Sequence, residues 1–294
     1  MVIKKTPQRR IFEICNAIFM IFMILITLYP MIYIVMASFS EPLEFLAHRG
    51  LLFRPLGFST LAYEKAIVHP LLLPSYANTL FVVAVGVTVN IILTSIAAYF
   101  LSRQNILWQR PIAFLIIFTM YFSGGLIPLY LTVTQDFMLQ DSLWALILPV
   151  AINTFNLMIM RTGFSAIPAS LEESARIDGA GHVIILFRIV LPLAMPTVAV
   201  MILYYGVAHW NSWFNASLFI TEPSKYPLQL VLRQILLIND TESMTGGVDA
   251  GSQLAVSETL KYAVIVIATL PILCIYPFLQ KYFVKGVMIG AVKG

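Results

Sequence analysis

Charged residues are scarce in this chain. Asp, Glu, Lys and Arg make up 11% of its 294 residues, whereas soluble globular domains carry about 25%. So few charges cannot cover a surface that faces water, and 60% of the residues are hydrophobic, with a mean hydropathy of +0.88. The composition excludes a soluble domain and indicates an integral membrane protein. Its long apolar runs favour membrane-spanning helices over a β-barrel.

Cysteine is also scarce, and there is no motif for a bound nucleotide. Cys15 and Cys274 both fall in apolar runs, where we expect them to be small buried hydrophobic residues, with no disulfide and no metal site. The chain lacks the G-x-x-x-x-G-K-S/T loop that cradles phosphates, and it shows no catalytic constellation. We therefore expect a protein that is not an enzyme. The net charge of +4 does not indicate nucleic acid, because the basic residues lie at the ends of apolar runs.

Six apolar segments approach or exceed the ~20 residues that a helix needs to cross a bilayer. They are Ile11–Phe39, Ser75–Leu101, Pro111–Val133, Ser142–Met160, Leu193–Ile220 and Tyr262–Leu279. The first is too long for a signal peptide and lacks a small-residue cleavage site, so we interpret it as an uncleaved signal anchor. In the third, Gly124-Gly125 is predicted to allow a bend or close packing. The sequence thus predicts an all-α polytopic membrane protein with six transmembrane helices in a single domain, 1–294.

The distribution of Lys and Arg gives the orientation, because cytosolic loops are enriched in both. One side carries twelve of them: Lys4, Lys5, Arg9, Arg10, Arg103, Arg110, Arg161, Arg176, Arg188, Lys281, Lys285 and Lys293. The other side carries six: Arg49, Arg54, Lys65, Lys225, Arg233 and Lys261. We predict that the side with twelve is cytosolic. Both termini and the 161–192 loop would then lie in the cytosol, with the chain in a bacterial cytoplasmic membrane.

This cytosolic loop is polar and is patterned for two short helices. Ser170, followed three residues later by Glu173, is a capping box, so a helix is predicted to begin there. Gly179 is free to take the left-handed conformation that ends many helices. A second helix is predicted from about 180 to 190, before Pro192. Such a pair is either an amphipathic connector on the membrane surface or a docking element for a cytosolic partner.

The spacing within this loop resembles the EAA loop of ABC importer permeases, which runs Glu-Ala-Ala, three residues, Gly, nine residues and Ile-x-Leu-Pro. The matching residues here are Glu173-Ser174-Ala175, Gly179 and Ile189-Val190-Leu191-Pro192. Ser174 departs from the central Ala of the pattern, but Ser is also small, so close helix packing survives. A match of several residues at fixed spacings to this pattern is poorly explained by chance.

Other stretches extend the resemblance over most of the chain. They are FSGGLIPLYL at 122–131, WALILPVAINTFNLMIMRTGF at 144–164, GVAHWNSWFNASLFI at 206–220, YPLQLVLRQIL at 226–236 and QKYFVKGVMIGAVKG at 280–294. All are similar to carbohydrate-type importer permeases, and especially to the subgroup that imports oligosaccharides made from polysaccharides. The resemblance implies the MetI-like architecture of type I importers.

The resemblance also implies partners. In this family a second homologous permease completes the pore, a dimer of ATPase subunits binds ATP and Mg, and an extracytoplasmic solute-binding protein delivers the sugar. The permease itself carries no cofactor, and its coupling loop sits in a groove of the ATPase and moves the spans as rigid bodies. The residues implied at that joint are Glu172, Glu173, Ser174, Ala175, Asp178, Gly179, Ala180, Leu191 and Pro192.

Polar and aromatic residues within the predicted spans are candidates for the sugar path, because rings stack on sugar C–H faces and amides bind hydroxyl groups. The candidates are Tyr204, Tyr205, Trp210, Asn211 and Asn215, with Asn153 and Asn156 as weaker ones. On one helix, Tyr204, Asn211 and Asn215 would share a face. The alternative role for this cluster is hydrogen bonding between helices and an interfacial aromatic belt.

Two other functions compete with import by an ABC system. A secondary transporter would need ionisable residues within the membrane and often an internal repeat. The only ionisable residue of this kind in the interiors of the predicted spans is His209, which we interpret as a structural polar contact. A non-transporting receptor would not need a docking loop hinged at a glycine.

Overall fold

The computed structural model describes residues 6–103, 106–242 and 250–291. Over these ranges the chain is helical and contains no β-strand, as the sequence predicts. The chain divides into two compact units, Met1–His69 with Gln234–Thr269 and Pro70–Arg233 with Leu270–Gly294. A single domain over the whole chain stays a prediction.

The first unit contains one long helix and two short ones. They are Pro7–Ser38 (α1), Pro42–Ala47 (α2) and Leu61–Val68 (α3). Pro7 suits the first turn of α1, because the first N–H groups of a helix have no partner within it. The Phe45 ring is buried, and the rings of Tyr33 and Tyr262 pack against it with centroids 6.2 and 5.4 Å away. These aromatic contacts form a small core.

The second unit holds most of the remaining helices. They are Leu72–Ser102 (α4), Gln109–Tyr121 (α5), Leu126–Asp136 (α6), Thr154–Ser165 (α7), Ala169–Ile177 (α8), His182–Leu193 (α9), Met195–Trp210 (α10) and Trp213–Phe219 (α11). Two further helices, Leu228–Glu242 (α12) and Ala250–Ala291 (α13), continue from one unit into the other. Helices α4, α7 and α10 pack together around the buried side chains of Met160, Phe164 and Met201.

Three stretches are long and apolar enough to cross a membrane by themselves: α1, α4 and Leu254–Ile275 of α13. Up to six result if each bent helix pair counts as one span. The bent pairs are α5 with α6, the 3₁₀ segment Leu143–Val150 with α7, and α9 with α10, bent by 110°, 53° and 88°. The described chain therefore has the predicted all-α architecture of about six spans.

The breaks change the predicted third and fifth spans. Helix α5 ends at Tyr121, and Gly125 takes a φ of +91° before α6, so the predicted bend at Gly124-Gly125 is confirmed. Helix α10 ends at Trp210, and a new helix starts at Trp213, so a continuous helix over Leu193–Ile220 is wrong. Apolar residues flank both breaks, so the mean hydropathy over about 20 residues does not locate them.

Both cysteines are exposed on their helices, so the expectation that they are buried is wrong. Cys15 lies on α1 and Cys274 on α13. A run of apolar residues looks the same whether a given position faces protein or lipid, so the sequence context of a cysteine in a membrane helix does not predict its contacts.

Candidate functional site

The first helix of the 161–192 loop, α8, begins at Ala169 without a side-chain cap. Pro168 occupies the N-cap position with extended backbone angles, and Ser170 lies inside the helix. The predicted capping box of Ser170 and Glu173 is therefore wrong. Proline explains the difference, because it fixes φ near the helical value and is tolerated where a helix begins. Glu173 is exposed and does not cap the helix.

The end of α8 is a Schellman motif. The Ala180 N–H donates to the Ala175 carbonyl at 2.9 Å, and the Gly179 N–H donates to the Arg176 carbonyl at 3.0 Å. Gly179 has a φ of +83°, the left-handed conformation that the sequence predicts for it. This motif satisfies carbonyls at the helix end and fixes the turn into α9.

The second helix of the loop begins and ends two to three residues later than predicted. Helix α9 continues through Pro192 and breaks at Ala194, where the chain turns by 88° into α10. A π-helical turn over Leu186–Val190 precedes the proline. Such turns occur where the regular hydrogen-bond ladder is interrupted. Here the π-helical turn accommodates Pro192, which has no backbone N–H to donate.

Glu172 differs from the other implied coupling residues, because its side chain points into the protein. It forms an ion pair with Arg103 at the end of α4, and both side chains are nearly fully buried. The Arg103 guanidinium carbon also lies 4.8 Å from the centre of the Tyr99 ring. The Tyr99 hydroxyl is 3.2 Å from Nδ1 of His182 on α9. The sequence did not indicate Arg103, because a contact between α4 and α8 is a tertiary one.

The outer face of the helix pair is open. Glu173, Ser174, Asp178 and Pro192 are exposed, like Gly179, whereas Ala180 and Leu191 are half-buried and Ala175 is buried. Large apolar side chains accompany them. Ile177 is 86% exposed and Val183 is 70% exposed. The loop therefore presents an apolar surface with acidic groups beside it, and on a segment that faces water such a surface marks an interaction site.

A polar cavity of about 160 Å³ brings four of the seven sugar-path candidates together. They are Asn153, Asn156, Tyr205 and Asn215, and the cavity is also lined by Leu146, Val150, Ala208, His209 and Ser212. Asn215, on the helix after the break, lines this cavity beside Tyr205 of α10 and Asn156 of α7.

Hydrogen bonds fix the walls of this cavity. Asn90 of α4 donates from Nδ2 to the Val150 carbonyl at 2.8 Å, and its Oδ1 is 2.6 Å from Nε2 of His209. The Tyr205 hydroxyl is 2.8 Å from that of Thr94 and accepts the Asn153 N–H at 3.1 Å. Hydrogen bonding between helices, the alternative role for the polar cluster, is thus present beside the cavity.

The other three candidates lie elsewhere. Tyr204 and Trp210 line an apolar groove of about 600 Å³ that includes Val83 of α4 and Ile272 of α13. Asn211 is exposed at the end of α10, where its Nδ2 donates to the Val207 carbonyl. Since Asn215 belongs to the next helix, the predicted shared face of Tyr204, Asn211 and Asn215 is wrong.

A tightly bonded loop lies on the side that the charge pattern predicts to be external. The Asp141 carboxylate accepts the Thr221 hydroxyl and N–H, both at 2.6 Å, and the Glu222 N–H at 2.9 Å. These donors hold the pKa of Asp141 below its ordinary value. Lys225 pairs with Glu222 at 2.6 Å and likewise lowers the pKa of that carboxyl. The carboxylates of Asp141 and Glu222 in this loop therefore already have hydrogen-bond or ion-pair partners.

These features define the class of protein: a helical membrane chain with broken spans, a polar cavity between helices and an exposed helix pair has the form of a transport permease. Residues 90–289 match the family described as binding-protein-dependent transport system inner membrane component. The chain belongs to this family, and it is a permease subunit of an ABC importer.

Individual relatives match nearly the whole chain. LplC of Bacillus subtilis (strain 168) is 43% identical over 289 residues, 98% of this chain and 97% of LplC. The polygalacturonan/rhamnogalacturonan transport system permease protein YtcP of the same bacterium is 41% identical over 292 residues, 98% of this chain and 100% of YtcP. A chain in the crystal structure of a bacterial ABC transporter involved in the import of the acidic polysaccharide alginate matches with a TM-score of 0.87. It is 34% identical, over 96% of this chain and 100% of that one.

Proposed function

We propose that this chain forms part of the pore of an ATP-driven importer of oligosaccharides made from polysaccharides. Relatives named for polygalacturonan, rhamnogalacturonan and alginate support this substrate class. The complete importer contains a second homologous permease, a dimer of ATPase subunits and an extracytoplasmic solute-binding protein. ATP and Mg bind to the ATPase subunits, where hydrolysis takes place. Family membership disfavours a secondary transporter and a non-transporting receptor.

The single observation that carries the coupling role is the open face of α8 and α9. Ile177 and Val183 leave an apolar surface in water unless a partner covers it. A groove on the ATPase covers it, with Glu173 as the charged contact and Gly179 at the point of close approach. This face and both termini lie in the cytosol, and the bacterial cytoplasmic membrane holds the spans.

Movement of the helix pair reaches the spans through buried contacts. The Schellman turn joins α8 rigidly to α9, and the Glu172–Arg103 ion pair joins α8 to α4. Displacement of α8 therefore moves α4, and Asn90 of α4 is hydrogen-bonded to Val150 and His209, which line the polar cavity. Sugar hydroxyl groups contact the amides and hydroxyls of that cavity when the spans open.

Co-purification and uptake test the proposal together. The tagged chain, expressed with its neighbouring subunits, should bring down a second permease and an ATPase and should support uptake of a labelled oligosaccharide. Glu173→Lys should insert normally but lower uptake and substrate-stimulated ATP hydrolysis by roughly tenfold, the effect of losing about 1.4 kcal/mol of contact energy.

The matched control is Glu44→Lys, the same charge change at an exposed position in the first unit. It should leave both activities near wild type. Unchanged uptake in Glu173→Lys would refute the docking role of α8. Purification of the chain as a transporter without an ATPase would refute the proposed assembly.

A further inference from the structure

Arg233 of α12 lies over the face of Trp213, with the guanidinium carbon 4.4 Å from the ring centre. Trp213 in turn meets Phe214 edge to face, at 5.6 Å and 85°. All three side chains remain exposed, Trp213 by 38% and Phe214 by 46%. The result is an aromatic shelf with a cation held over one ring.

The cation on this shelf has no carboxylate partner among the side chains that the structure describes. The acids of the nearby loop are engaged elsewhere, since Asp141 accepts three hydrogen bonds from residues 221 and 222 and Glu222 pairs with Lys225. The guanidinium lies over the Trp213 ring on an exposed side chain, so its N–H edge remains accessible to a ligand. That edge is a planar donor fork, which matches a carboxylate better than a neutral hydroxyl group.

The shelf is next to residues of the polar cavity along the chain. Trp213 follows Ser212 directly and precedes Asn215 by two residues, and both of those residues line the cavity. Consecutive Cα atoms are about 3.8 Å apart, so the Trp213 backbone lies within roughly 8 Å of the backbone of these two lining residues.

We propose that Trp213 and Arg233 form a subsite for an acidic sugar, a uronic acid unit whose carboxylate binds the free edge of Arg233. The apolar face of the same sugar ring lies against the exposed part of the aromatic shelf. This assignment rests on the proposed function and narrows its substrate class from oligosaccharides in general to oligosaccharides that contain uronic acids.

Uptake by cells that express the complete importer tests the assignment, with trigalacturonate and trimannuronate as acidic probes and maltotriose as the neutral one. Arg233→Gln should lower uptake of the accepted acidic trimer by roughly tenfold to a hundredfold, the range for a hydrogen-bonded charge. Arg233→Lys keeps the charge without the fork and should fall between this variant and wild type. Lys225→Gln removes the same charge from a residue that is already paired, and should behave like wild type.

Each outcome has a separate meaning. If Arg233→Gln and Lys225→Gln transport the acidic trimer equally, the subsite is refuted. If the wild-type importer takes up only maltotriose, the acidic substrate is refuted and the proposed oligosaccharide import stands. If it takes up none of the three, the proposed function fails as well. Membrane abundance of each variant, together with the Arg233→Lys result, separates loss of binding from loss of folding.

Discussion

At the scale of single residues, Gly179 has a left-handed backbone and also lies where the ATPase is proposed to approach closely, and these two requirements for glycine are usually difficult to separate. Its φ of +83° favours glycine, yet a side chain added there would meet no atom of this chain within 4 Å. Gly181, two residues later, also has open space around it but an ordinary φ of −75°. The two glycines therefore allow the backbone requirement to be distinguished from the requirement for a close partner.

We predict that Gly179→Ala and Gly179→Asn both insert and both lose most coupled ATP hydrolysis. Asn tolerates the left-handed conformation, whereas Ala pays about 1–2 kcal/mol for it. If backbone strain alone mattered, Asn would therefore be nearly neutral. Gly181→Ala is the control and should retain activity. Substrate-stimulated ATPase measurements on the reconstituted importer give the answer, and near-normal coupling in Gly179→Asn would show that no partner approaches this residue closely.

Neighbouring glutamates offer a second test at the residue scale, because Glu172 is buried against Arg103 and Glu173 is exposed. Glu172→Ala should lower the stability of the purified chain by about 3–5 kcal/mol, since it leaves a buried arginine unpaired. Glu173→Ala should leave thermal stability unchanged and weaken only coupling. Thermal unfolding in detergent separates the two, and an equal melting temperature for both variants would contradict the role assigned to the ion pair.

At the scale of helices, hydropathy predicted the spans that are continuous and missed the places where the others break. Helices α1 and α4 agree with the predicted spans to within a few residues. The Gly124-Gly125 pair gave a visible signal for one bend, because glycine permits a φ of +91°. The break after Trp210 has no glycine or proline within it, and apolar residues continue on both sides. Burial of Trp210 and His209 accompanies that break, and such tertiary contacts have no signature in a single sequence.

In the candidate site, too, local sequence signals predicted some features and missed those that depend on tertiary contacts. The turn at Gly179 followed from local chemistry, and the structure has it as predicted. The pairing of Glu172 with Arg103 joins residues 69 positions apart, so no local pattern could predict it. The polar cavity likewise joins residues of α7 with residues of α10 and α11, which are far apart in the chain. Local signals thus predicted the loop, whereas the cavity required the tertiary fold.

Packing between α4 and α10 depends on a glycine, which gives a prediction at this scale. A Cβ at Gly86 would lie 2.6 Å from Nε2 of His209, whereas a Cβ at Gly206 would lie 3.8 Å from its nearest neighbour, on Val87. Gly86→Ala should therefore cost about 1–3 kcal/mol through overpacking against a histidine that Asn90 holds in place. Gly206→Ala should be close to neutral. Melting temperatures of the two purified variants measure this, and equal values would contradict the packing argument.

At the scale of the whole chain, the apolar surface exceeds what the chain can cover by itself. The most apolar window of α1 has no buried residue, and the windows of α4 and Leu254–Ile275 are 28% and 22% buried. Lipid covers such surfaces in a membrane, and so do partner subunits. If the open face of α8 and α9 lies outside the membrane, as the Lys and Arg distribution predicts, lipid does not cover it, so the side of the membrane on which this face lies decides which partner can bind it.

Two exposed apolar positions test the sidedness directly. In a chain with Cys15 and Cys274 replaced by serine, Val68→Cys at the end of α3 and Ile177→Cys at the end of α8 have closely matched exposures, 79% and 86%. The Lys and Arg distribution predicts that an impermeant maleimide labels Val68→Cys in intact cells and Ile177→Cys only after the membrane is opened. Co-expression of the ATPase should then slow labelling of Ile177→Cys and leave that of Val68→Cys unchanged, because the ATPase covers only the α8 face. Labelling of Ile177→Cys in intact cells would invert the orientation, and labelling that ignores the ATPase would exclude Ile177 from the docking surface.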